Sequence, residues 1–165
     1  MEKKHGRKIK IVRITLVILI IINCLVIFKF SSEQSEKSDN RSGVIVEKII
    51  ELDPENKKLS IEEIEKKKEM IVTPVRKTAH FSIYTCLGAL LYTFSKTFKG
   101  KEKAKVFASI ALAFLYACSD ELHQHFVPGR SCEFRDVCID TCGAIFGILI
   151  VFLIYCGIKV IKKKD

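Results

Sequence analysis

The stretch SDELHQHFVPGR, from Ser119 to Arg130, sets two adjacent carboxylates, two histidines, a glutamine and an arginine at the end of a long apolar run. At helical spacing Asp120, His123 and Gln124 share one face, and Glu121 lies to one side with His125 a turn beyond it. Adjacent like charges and partial burial suit Asp120 or Glu121 to general-base work, with His80 or His123 as proton shuttle and Gln124 beside them as a further catalytic candidate. Arg76, Lys77 and Arg130 are suited to holding a phosphate or carboxylate, and Asp136 joins this candidate binding set. Metal ligation through His80, His123 and a carboxylate is chemically conceivable, but neither an HExxH pattern nor a thiolate partner accompanies them. The expectation is that His123 hydrogen-bonds a carboxylate and packs, with no metal and no cofactor.

The elements that carry these residues are apolar blocks. The chain has 165 residues, 48% of them hydrophobic, which is short for more than one domain. A bilayer-crossing helix needs roughly 20 mostly apolar residues. Residues 11–30, 79–98, 104–122 and 137–158 meet this, so the expected fold is all-α. It is a four-helix integral membrane bundle with an extracytoplasmic segment between helices 1 and 2. The basic start MEKKHGRKIK could open a signal peptide, but the following run is long and no small-residue cleavage site follows, so an uncleaved anchor is expected. A lipoprotein reading at IINC fails because Asn23 stands where a small residue belongs.

Lys and Arg in short loops set orientation. They gather before the first span, between the second and third (Lys96, Lys99, Lys101, Lys103, Lys105), and after the fourth (Lys159, Lys162, Lys163, Lys164). Both termini are therefore expected in the cytoplasm, and the net charge of +9 is topological rather than a nucleic-acid footprint. The expected organisation is a cytoplasmic basic tail and first span over 1–30, a partly helical extracytoplasmic linker over 31–75, a core with three spans over 76–158, and a cytoplasmic basic tail over 159–165. Within the linker, Ser60 and Glu63 fit a capping box that opens a helix near Ile61. The seven cysteines carry no CxxC, which argues against a disulfide framework or zinc knuckle.

Helix ends predict how the charges meet. Thr73 and Pro74 read as the start of the second span, which puts Arg76 and Lys77 at a helix N-terminus, against the macrodipole. Asp120 and Glu121 close the third span, also against the dipole, so the two sets are expected to pair. Asp136 opens the fourth span favourably, and Asp140 one turn on must face protein or water. Pro128–Gly129 predicts a tight turn that aims Arg130 back over the helix ends, and Gly143 with Gly147 predicts close helix packing inside the bundle.

Together RKTAHFSIYTCLGALLY, SDELHQHFVPGRSCEFRDV and IDTCGAIFG resemble the VanZ-like family of small bacterial membrane proteins, and FSSEQSEKS resembles the family's Ser-rich stretch after the first span. The family pattern falls on Arg76, Lys77, His80, Asp120, Glu121, Gln124, Pro128, Arg130, Asp136 and Gly143, with His123 also fitting; His125, Cys132 and Cys142 lie outside it. The resemblance implies a role in tolerance of teicoplanin-type glycopeptide antibiotics and leaves the chemistry open. Three functions are expected to compete. One is an enzyme on a lipid-linked or phosphorylated envelope substrate at the outer face. The second is a non-catalytic surface-binding protein. The third is a small oligomeric transporter, with Asp140 in its polar path. The partners expected are the lipid bilayer and either that substrate or a glycopeptide, with no nucleic acid.

Overall fold

The computed structural model describes residues 2–33, 35–54, 56 and 59–161. Helix α1 (Glu2–Ser31) grows from a run of branched and aliphatic residues broken by one amide, Asn23. Helix α2 (Ser35–Leu52) is amphipathic: Ser42, Val46 and Ile50 recur every fourth residue and are buried, packed on the next helix. The turn after α2 is tied down by Lys67, which donates to Asp53 (3.2 Å) and Asn56 (2.6 Å), while Asn56 donates to the Ile50 carbonyl. Helix α3 (Ile61–Lys96) starts at the expected capping box, with Ser60 accepting from the Glu63 N–H and Glu63 from the Ser60 N–H. Helices α4 (Glu102–Gln124) and α5 (Phe134–Ile161) complete the set.

The all-α expectation stands, but there are five helices among the described residues, not four. The expected linker over 31–75 is a helical hairpin, and the segment expected as the second span is the continuation of its second arm. Thr73 does not cap a helix and Pro74 does not open one: α3 runs straight through both. A mid-helix proline removes one donor, leaving the carbonyl four residues back without its N–H. Here that residue is Met70, which is exposed and within reach of water. Arg76 and Lys77 are consequently mid-helix, and the macrodipole argument does not apply to them.

Among the described residues three helices, not the expected four, are long and apolar enough to cross a membrane: Gly6–Ser31, Glu102–Gln124 and Phe134–Ile161. The 79–96 part of α3 is more polar, yet it supplies the buried residues Tyr84, Leu87, Gly88 and Tyr92. Tyr84 and Leu87 pack with Ile27 of α1, Ala117 of α4 and Val137 of α5. Contacts along the bundle give the directions. Arg13 reaches Thr97 while Tyr116 donates to the Cys24 carbonyl (2.7 Å), so α1 runs with α4 and against α3.

Helices α3 and α5 run in the same direction in close register. A Cβ on Gly143 would lie 2.4 Å from the Phe81 carbonyl oxygen; on Gly147, 1.9 Å from that of Thr85; on Gly88, 2.0 Å from that of Ala144. The GxxxG pair therefore works inside the bundle, as expected, joined by Gly88 from the facing helix. This backbone contact holds the first residues of α5 against the middle of α3, where the ionisable side chains are.

Candidate functional site

At the end of the bundle where α1 and α4 finish and α5 begins, a cavity of about 350 Å3 opens. Arg76, Lys77 and His80 line it from α3, Glu121 and Gln124 from α4, Arg130 from the following turn, and Asp136 and Asp140 from α5. The turn forms as expected: the Arg130 N–H donates to the Val127 carbonyl (3.1 Å), and Gly129 takes φ 78°, the left-handed value that glycine adopts without a Cβ penalty. Arg130 is thereby folded back over the helix ends. It donates to the Phe30 carbonyl (3.0 Å), the Glu33 carbonyl (2.9 Å) and Gln124 Oε1 (2.9 Å), closing the end of α1 onto α4. Burial and then the neighbouring Arg76 charge push its guanidinium pKa down, and an arginine so placed is still a cation.

The expected pairing of Arg76 or Lys77 with Asp120 or Glu121 does not occur. Arg76 donates to Asp39 of α2 (2.7 Å). Lys77 makes a short hydrogen bond to Asp136 and lies 3.6 Å from Glu133. With Lys77 mid-helix, the nearest carboxylates are those that open α5, brought alongside by the parallel glycine contact. Glu121 instead accepts the Glu133 N–H (3.0 Å), so it stitches the end of α4 to the residue just before α5.

Deeper in, Asp120 and Asp140 are 4% and 1% exposed. Gln124 orients Asp120: with its Oε1 facing Arg130, its Nε2 donates to Asp120 Oδ2 (3.2 Å). His80 Nδ1 stands 3.8 Å from Asp140 Oδ2, beyond hydrogen-bond length. Asp120, Glu121, Gln124, His80, Arg76, Lys77, Arg130 and Asp136 thus come to one end of the bundle. His123 does not join the cavity. It stacks on Phe28 (ring centroids 4.7 Å apart) and bonds Ser32, whose own proton goes to the Phe28 carbonyl, so His123 Nε2 is the donor. The expected packing role holds, with a hydroxyl in place of the carboxylate. His125 lies exposed, edge-on to Phe126.

Asp140, expected to face protein or water, does face the cavity. Several other residues at this end escaped the sequence reading of the site. Tyr84 carried a usable signal, standing one turn beyond the candidate His80. Glu133 and Arg135 adjoin Asp136 and line the cavity. Asp39 had no local signal, since only the α2–α3 hairpin brings it to Arg76. All seven cysteines are free, in keeping with the expected lack of a disulfide framework.

No curated protein and no solved structure matches the chain. The family model described as VanZ/LLP1 matches residues 15–155, which takes in the four long bundle segments, the turn and every residue of the cavity, and the chain belongs to the VanZ/LLP1 family.

Proposed function

We propose that this protein acts at the outer face of the cell membrane, where its cavity takes an anionic group of a lipid-linked or phosphorylated envelope molecule. On this reading it contributes to tolerance of teicoplanin-type glycopeptides or to envelope modification. The observation that carries the proposal is the cavity itself. Arg76, Lys77 and Arg130 meet there with His80, Glu121 and Asp140, at the rim of an otherwise apolar bundle. Guanidinium and ammonium groups recognise phosphate and carboxylate by charge-assisted hydrogen bonds. Ionisable groups in such a setting are costly and commonly functional. Asp120 and Glu121 are the candidate general bases, with His80 as the proton carrier at the cavity wall. His123, packed on α1, keeps a positioning role.

In this proposal α1, the 79–96 part of α3, α4 and α5 make four crossings. The antiparallel order of α1, α3 and α4 and the shared extent of α3 and α5 support this, as do Lys96, Lys99, Lys101, Lys103 and Lys105 at the opposite end from the cavity. Both termini then face the cytoplasm and the α2–α3 hairpin stands outside. Tags near Asn40 and Arg130 should report the outside, and tags near Gly100 and Asp165 the inside; an external Gly100 would overturn the arrangement. For function, deletion and complementation should be scored for teicoplanin and vancomycin sensitivity, with lipid and peptidoglycan profiles alongside. Asp120→Asn, Glu121→Gln and Arg130→Lys should keep membrane abundance and lose the phenotype. Abundance that falls in step with the phenotype would make the cluster structural.

A further inference from the structure

We propose that His80, Asp120 and Asp140 form a binding site for a first-row divalent cation at the floor of the cavity. One ligand comes from each of α3, α4 and α5, and their donor atoms lie within 4.8 Å of one another. Metal–ligand lengths near 2.1 Å put neighbouring donors roughly 3–3.5 Å apart, so side-chain adjustments of about 1 Å close the set.

The second observation is an unanswered charge. Asp140 is 1% exposed, and its Oδ2, turned toward His80, accepts no hydrogen bond. Among the described residues no Lys or Arg forms an ion pair with Asp120 or Asp140: Arg76, Lys77 and Arg130 are engaged with Asp39, Asp136, Glu133, Gln124 and backbone carbonyls, and Arg135 is exposed. Two buried carboxylates without cations are strongly unfavourable, and a protonated His80 would bring one positive charge against two negative ones. A divalent cation answers both.

The surroundings are those of a ligand set. Gln124 holds Asp120 in place and is itself held by Arg130, the kind of outer support that orients metal-binding carboxylates. The hydroxyls of Ser31 and Tyr84, both fully buried, lie beside Asp120 and offer neutral oxygens. An imidazole with two carboxylates suits manganese, iron or zinc; calcium and magnesium prefer all-oxygen sets. A cation here would lie behind Arg76, Lys77 and Arg130 and, with Asp120 and His80 as its ligands, would leave Glu121 as the general base. The inference thus deepens the reading of the cavity as an anion site, while its test needs neither substrate nor phenotype.

The test uses the full chain in lipid nanodiscs, stripped with chelator and titrated with Mn2+ alone, bound ion being read by electron paramagnetic resonance so that cysteines do not interfere. Wild type should bind one equivalent. His80→Ala and Asp140→Asn should weaken binding by more than the roughly 10–100-fold that losing an outer-shell partner costs, and Gln124→Leu should fall within that range. His125→Ala should bind as wild type. To separate binding from folding, melting is followed in chelator and in Mn2+. Asp140→Asn should be at least as stable as wild type in chelator and gain nothing from Mn2+, whereas wild type gains. Should Asp140→Asn not fold, Asp120→Asn serves in its place. No saturable Mn2+ binding by wild type, or equal binding by the His80 and Asp140 variants, overturns the site.

Discussion

The two ends of the bundle hold similar side chains in opposite states. At the end carrying the α3–α4 turn, Lys96 donates to Glu102 (2.7 Å) and sits over the Tyr155 ring, and Tyr92 makes a short hydrogen bond to the same carboxylate. Arg13 donates to Thr97 Oγ1 (3.1 Å) and to its carbonyl (2.7 Å), with its guanidinium over Phe98. Those charges are partly exposed, and each cation meets an anion, a carbonyl or an aromatic face. At the other end the carboxylates of Asp120, Glu121 and Asp140 are buried, a cavity opens beside Glu121 and Asp140, and Arg76, Lys77 and Arg130 are turned to other partners. A buried polar group without its full complement of partners is where a fold sacrifices stability. Charge at a helix end is therefore no sign of function by itself; the feature that sets this end apart is a buried carboxylate oxygen without a hydrogen bond, Asp140 Oδ2.

The largest effect should come from breaking what both ends share. Gly147→Val drives a side chain into the Thr85 carbonyl and should cost about 1–3 kcal/mol or more, lowering membrane abundance and both ends' hydrogen-exchange protection together. Protection lost at one end alone would mean that the ends are not coupled through the α3–α5 contact.

Next, Arg130→Ala should lower the proposed antibiotic tolerance at least about tenfold, because a part-buried charge-assisted bond worth roughly 1.5–3 kcal/mol disappears and Gln124 loses its orientation. Arg13→Ala at the other end should leave the phenotype unchanged. Equal phenotypic loss from both would erase the functional distinction between the ends.

The ion pairs sharpen the comparison further. A double-mutant cycle on Lys77 and Asp136 should give a coupling of about 1 kcal/mol, whereas a cycle on Arg76 and Asp120 should give none above the additivity error of about 0.3–0.5 kcal/mol. At the opposite end Glu102→Gln should cost only about 0–1 kcal/mol, as expected of a partly exposed pair, when thermal unfolding is compared with wild type. The smallest effect is local: Ser60→Ala should speed exchange in the first turn of α3 without changing the cavity, since the Ser60–Glu63 bonds lie a long way along the helix from Arg76.

The apolar blocks, the capping box at Ser60, the turn at Pro128–Gly129 and the GxxxG pair were all legible, because each depends on residues within about one helical turn of each other. Local pattern thus sufficed for an all-α chain with long apolar helices, for where most of those helices lie, and for which dozen or so side chains could do chemistry. It misjudged the start of the second span, since a Thr-Pro pair looks like a helix N-terminus unless an earlier cap has already begun the helix. The pairing of charges was decided only by the tertiary structure. The parallel packing of α3 on α5 gives Lys77 to Asp136, and the α2–α3 hairpin gives Arg76 to Asp39. That left Asp120 and Asp140 facing His80 across three helices with no cation between them. Such an outcome depends on helix register and direction, which local periodicity does not encode. The helix–helix backbone contacts at Gly88, Gly143 and Gly147 set both.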